Sequence, residues 1–197
     1  MIMKIANTNK LRMKASGFSL VELVITLALM AAMLAVGVPA FNNVMENNAL
    51  AGAANRFISS LALARSEAVT RNIEVVMCRL DSSGNACGTS GTWADGWLIW
   101  ADANKDNNVQ ATEIVTRDEG LDTVYTLVAL NNQFSQTITF SPIGEARGNG
   151  GSQQEIFRLC DPDNDNNRTR LIYLSGVGNA WVNRTAGSTG AATDCPT

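Results

Sequence analysis

The run from Lys14 to Phe41, KASGFSLVELVITLALMAAMLAVGVPAF, constrains this chain more than any other stretch. Residues 23 to 41 are 19 consecutive uncharged residues. As a helix rising about 1.5 Å per residue, they come close to crossing a hydrocarbon core of roughly 30 Å. Glu22 stands at the head of that run. A carboxylate in hydrocarbon costs about 2.5–3.5 kcal/mol even on the gentler insertion scales, so it needs a compensating cation. A secretory signal peptide cut near VPA at 38–40 leaves Glu22 without a purpose, and so does a plain membrane anchor.

The other residues are rich in Asn, Gly, Thr and Asp and suffice for one domain of ordinary size. Lys4, Lys10, Arg12 and Lys14 all precede Phe18, and no acid does. Without residues 1–17, 11 basic residues face 18 acidic ones, a net charge of −7. That balance disfavours binding to phosphate backbones.

Histidine is absent, which excludes Ser-His and Cys-His nucleophile systems. Neither a glycine-rich phosphate loop nor a lysine-based site stands out, and Lys105 is the only lysine after residue 17. The reading is a protein that is not an enzyme. Four cysteines, Cys78, Cys87, Cys160 and Cys195, include no C-x-x-C pair of the kind zinc sites use. Behind an export-type N-terminus they read as two disulfides in an oxidising compartment. Of three connectivities the favoured one joins Cys78 to Cys87, closing a short glycine-containing loop, and Cys160 to Cys195, tying the C-terminal tail to a strand.

Beyond Pro39, residues Leu50, Ala54, Phe57, Leu61, Ala64 and Ala68 recur at steps of four and three, on one helical face. The spacing predicts one helix from about Phe18 to about Thr70, apolar all round in its first half and striped in its second. Pro39, lacking a donor and crowding the preceding turn, marks an expected kink. From residue 73 the period changes. IEVVMCRL, GWLIWAD, TEIVTR, TVYTLVAL, QTITFSPIGEARG, EIFRLCD and TRLIYLSGVGNAWV each read as strands bounded by Gly, Asn, Asp or Pro. The expected class is α+β, with an antiparallel sheet resting on the helix stripe. Trp97, Trp100, Phe140, Tyr173 and Trp181 are the candidate core or sheet-face aromatics.

SGFSLVELVITLALM resembles the class III signal of type IV prepilins and pseudopilins. The resemblance implies that a prepilin peptidase cuts after Gly17 and that Phe18 becomes the methylated N-terminus. It also implies that Glu22 neutralises the N-terminal amine of a neighbouring subunit in the membrane. The domains it implies are a leader at 1–17, a transmembrane and assembly segment at 18–41 and a globular pilin domain at 42–197. LARSEAVTRN, GTWADGWLIWADANKDNN, FSPIGEARG and LIYLSGVGNAWV, in that order, resemble the GspH/FimT/FimU group of minor pilins and pseudopilins. The implied fold is the type IV pilin fold. The implied partners are other minor and major pilins in a tip complex or filament, the prepilin peptidase and the inner membrane, with the pilus at the cell surface as destination.

Three functions compete within that group: priming a pilus tip, forming a type II secretion pseudopilus, and taking up DNA. DNA-binding members resemble one another in a GRxR motif, and the matching place here reads Gly178, Asn179, Ala180, Trp181, with only Arg184 nearby. Direct DNA binding is therefore not expected, and the disulfides and domain size lean towards a FimU-like pilus subunit.

One segment stands apart. DANKDNNVQATE, residues 102–113, places Asp102, Asn104, Asp106, Asn108, Gln110 and Glu113 at positions 1, 3, 5, 7, 9 and 12, the spacing of an EF-hand calcium loop. Asn107 stands where that loop takes glycine, and the flanks read as strands, so a solvated hairpin turn is the favoured reading and calcium the alternative. The polar run 161–168 has Ile172 where a twelfth-position carboxylate would be, and reads as a turn.

Overall fold

The computed structural model describes residues 17–121, 124–151, 153–161 and 169–183. Helix α1 spans Leu20–Arg71, close to the expected limits. Ser19 begins it by accepting the Val21 N–H at 3.3 Å, filling one orphan donor of the first turn. Asn72 ends it in the left-handed region, with φ 56°, a conformation asparagine tolerates better than most residues. The helix continues unbroken through Pro39, so the missing donor does not terminate it.

The chain divides into two compact units after Val44. In the first, residues 17–44, the helix is apolar on every side, and Leu23, Leu27, Met30 and Leu34 are all exposed.

The second unit, from Met45 onward, holds the core. The striped face of α1 is buried as expected: Leu50, Ala54, Phe57, Leu61, Ala64 and Ala68 are each 0–1% exposed. Nine strands accompany it among the described residues. They are β1 (Val75–Arg79), β2 (Trp97–Ala101), β3 (Ile114–Asp118), β4 (Thr126–Ala129), β5 (Thr137–Phe140), β6 (Ala146–Arg147), β7 (Glu155–Cys160), β8 (Arg170–Leu174) and β9 (Ala180–Asn183). Seven strand-like segments become nine strands because two of them each fold back on themselves. QTITFSPIGEARG yields β5 and β6, and TRLIYLSGVGNAWV yields β8 and β9. Among the described residues the strands form two sheets, both antiparallel. One has the order β3-β2-β1-β5-β6 and the other β4-β7-β8-β9.

Phe57 joins both sheets to the helix. Its ring meets Trp97 of β2 at 5.3 Å, Phe157 of β7 at 5.1 Å and Trp93 at 5.7 Å, all edge to face. Such pairs add about 0.5–1.5 kcal/mol beyond the area they bury. Trp93, absent from the expected core, lies in a short 3₁₀ turn capped by Thr92, and its indole N–H donates to the Phe134 carbonyl at 2.9 Å. Arg65 ties the helix to the two tight hairpins, donating to Gly144 O at 3.1 Å and Asn179 Oδ1 at 2.7 Å. The hairpins approach so closely that a Cβ at Gly178, where φ is 76°, would lie 2.2 Å from the Gly144 carbonyl oxygen. Only glycine satisfies both demands.

Strands β1 and β2 are buried on both faces, which is why they read as continuous apolar runs. Val75 and Met77 face the helix, whereas Val76 and Cys78 join Leu98 and Trp100 in a second cluster on the opposite face. Two loops supply residues to that cluster: Cys87, bonded to Cys78, and Val109 from the 102–113 segment.

Candidate functional site

The membrane-type helix and the oxygen-rich loop are the two places where the sequence concentrates chemistry. In the first unit Gly17 and Phe18 precede the helix, and Phe18 is 79% exposed. Ser19 and Glu22 occupy the N-cap and third helical positions, the spacing of a capping box. Ser19 instead accepts from the second-position donor, Val21 N–H, and neither bond of that box forms among the described residues. The Glu22 carboxylate is exposed and makes no hydrogen bond or ion pair among the described residues. Its helix is long and apolar enough to cross a membrane, and none of its most apolar 18-residue window is buried.

In the second unit the Cys78–Cys87 disulfide is formed, with a Cα–Cα distance of 5.4 Å. Within the loop it closes, Asp81 accepts from the Ser83 hydroxyl and the backbone N–H groups of Ala86 and Asn85. These bonds, that of Ser83 foremost, hold its carboxyl down to about 2. Cys160 is buried and disulfide-bonded, and its expected partner Cys195 lies outside the described residues. So do the leader up to residue 16, residues 162–168 of the second polar run, and Arg184.

The loop 102–113 is the whole connection between β2 and β3. Asp102 accepts N–H donors from Asp106 at 3.1 Å and Asn107 at 3.2 Å, curling the chain around its carboxylate. Asn104 Oδ1 accepts from Asp106 N at 3.0 Å, and Asp106 Oδ1 accepts from Asn108 N at 2.8 Å. Asn107 has φ 58°, so it adopts the conformation for which the EF-hand loop takes glycine. One carboxylate oxygen from each of Asp102, Asp106 and Glu113 lies within 4.8 Å of the other two. The strand flanks expected from the sequence are present on both sides.

At the GRxR-equivalent place, Asn179 is bonded to Arg65, while Trp181 is 50% exposed and stacks on Tyr173 at 5.4 Å. Trp97, Trp100 and Phe140 are buried core residues, so Trp181 is the candidate aromatic that lies farthest from a core role.

Residues 53–178 match the model of the GspH family, described as type II transport protein GspH, and residues 12–38 match the prokaryotic N-terminal methylation motif. No curated protein sequence matches the chain. Two crystal structures of the type IV minor pilin FimU from Pseudomonas aeruginosa strain PAO1 share its fold. The first has a TM-score of 0.51 at 18% identity, covering 75% of this chain and 98% of its own. The second, from another crystal form, has a TM-score of 0.50 at 17% identity, covering 71% and 97%. An N-terminal methylation motif on an apolar helix, followed by a helix stripe packed on antiparallel sheets, describes a structural subunit with no enzymatic role; the chain belongs to the GspH family of minor pilins and pseudopilins.

Proposed function

We propose that this chain is a structural minor pilin that helps prime and cap a type IV pilus through a tip complex with other minor and major pilins. Prepilin peptidase cuts between Gly17 and Phe18, Phe18 is methylated, and the first half of α1 holds the protein in the inner membrane with the domain in the periplasm. Assembly then moves it to the filament tip at the cell surface. The observation that carries this reading is Glu22, a carboxylate with no partner among the described residues at the head of an exposed apolar helix. Cleavage creates the missing cation, the Phe18 amine of a neighbouring subunit, where pairing is worth more than in water. The methylation-motif match over residues 12–38, which includes Gly17, Phe18 and Glu22, supports it.

Glu22→Ala tests the pairing. Intact mass of the membrane-extracted variant should still show loss of residues 1–17 and gain of one methyl group, while its recovery in sheared filaments falls at least about tenfold, as expected for one lost ion pair in a dry setting. Unchanged incorporation would sink the pairing argument.

The family's description as a type II transport protein favours a second reading, a pseudopilus subunit of a secretion system. Deleting the gene separates the two: loss of surface pili with secretion intact supports the pilus reading, and the reverse supports the pseudopilus. A DNA-receptor function is disfavoured because no arginine occupies Gly178 to Trp181. Tight, salt-sensitive mobility shift by the detergent-solubilised protein would restore it.

A further inference from the structure

We infer that the β2–β3 loop is a calcium site formed by Asp102, Asn104, Asp106, Asn108 and Glu113. A hard cation such as calcium takes six to eight oxygens at roughly 2.3–2.6 Å, so two of its ligand atoms lie at most about 5 Å apart. The three carboxylates meet that limit, with one oxygen of each within 4.8 Å of the other two. Acidic side chains gather on protein surfaces without binding anything, and proximity alone decides nothing. Burial does. Asp102 is 4% exposed and Glu113 is 8% exposed.

Glu113 supplies the independent observation. Its Oε1 accepts the Ala103 N–H at 3.1 Å, which turns the carboxyl towards the start of the loop. Its Oε2 is shut off from solvent and has no hydrogen-bond partner. A buried carboxylate oxygen left without a donor is costly, and a cation at the centre of the loop satisfies it. None of the three carboxylates is ion-paired to Lys or Arg among the described residues. Asn104 and Gln110 instead turn amide donors onto Asp106 Oδ2, at 3.0 and 2.8 Å, crowding hydrogens where positive charge is wanted.

The donor set fits the ion. Side-chain oxygens of Asp102, Asn104 and Asp106, the Asn108 carbonyl and both oxygens of Glu113 supply six oxygen ligands of the hard type calcium prefers over softer metals. Strands replace the helices that flank such loops elsewhere. Ala101 N donates to Glu113 O at 2.9 Å and Asp102 N to Glu74 O at 3.1 Å, so both ends of the loop are pinned to the sheet. With Val109 packed in the outer cluster, the ion fixes one of the two loops that supply that cluster. The site is a fixed structural clamp.

The test is calorimetric titration of the chelator-stripped, full-length protein in detergent with calcium chloride. One calcium ion per chain should bind with Kd near about 10⁻⁴ M, the range of extracellular modules, and at least about tenfold more tightly than magnesium. Asp106 is exposed, so Asp106→Asn keeps the fold and should weaken binding at least about tenfold, while Glu113→Gln should abolish the calcium-dependent rise in thermal midpoint. Absence of calcium-dependent heat at about 10 mM, equal affinity for magnesium, or wild-type binding by Asp106→Asn would overturn the assignment. If Glu113→Gln fails to fold, the wild-type and Asp106→Asn titrations still decide. No filament is involved, so the result is independent of the assembly reading.

Discussion

Helix α1 contains two regions that obey opposite rules. Up to Val44 its apolar side chains are exposed on every side, whereas from Leu50 to Ala68 one stripe is buried and the other faces carry Arg56, Arg65 and Glu67. Hydrophobic side chains that stay exposed in the isolated chain indicate that their burial partners are other molecules. The stripe of the second region finds its partners inside its own domain. The contrast separates a part that folds from a part whose apolar surface stays open.

The strongest way to break that contrast is to truncate matched apolar residues in the two regions. Phe57→Ala removes the ring that bridges both sheets and should cost about 3–5 kcal/mol in denaturant unfolding. Leu27→Ala should leave the unfolding of the same detergent-solubilised protein unchanged and show itself only in filament recovery. Equal destabilisation by both substitutions would erase the distinction. Next in size is Cys78→Ser. Opening a loop with a sequence separation of 9 should lower stability by about 2–3 kcal/mol, measured against wild type in the absence of reductant.

A smaller effect is expected at Arg56. Its guanidinium grips Asp118 with two contacts of 2.6 and 2.8 Å and lies 6.0 Å from the Trp97 ring, but the side chain is half exposed. Arg56→Ala should therefore cost less than about 1 kcal/mol, and less again in high salt. The subtlest test is a pH profile. Burial raises the Glu155 carboxyl above its ordinary value of 4.5, against the opposing pull of the Ile156, Asn131 and Leu130 N–H groups. A raised acid binds its proton more tightly when folded, so its stabilising contribution is fully present below about 4.5 and is lost as pH rises through the folded value. Wild type should therefore lose stability relative to Glu155→Gln as pH rises above about 4.5. A flat difference would show that the three donors cancel the burial.

Much of the domain was legible beforehand because it repeats. The stripe from Leu50 to Ala68 follows helical spacing, and all six residues proved buried. Strand segments were visible through apolar runs and turn residues, but their folding back at Gly144 and Gly178 was not, since it depends on backbone contact between hairpins. Trp93 gave no periodic signal because it lies in a capped turn, and its place beside Phe57 and Phe157 comes from long-range packing. In the loop, the EF-hand-like spacing of oxygen side chains is legible in the sequence. That Asn107, in the place of glycine, adopts a positive φ is a property of the folded loop. The burial of Glu113 Oε2 had no sequence signature at all.

The sequence by itself determined the apolar helix, its acid at position 22, the striped continuation and the α+β class, because each depends on local order along the chain. Tertiary structure decided that two sheets share the stripe, that Trp181 stacks outside the core, and that three carboxylates 102–113 converge with one oxygen stranded. Those outcomes depend on which distant residues exclude water from one another, and no local pattern encodes that.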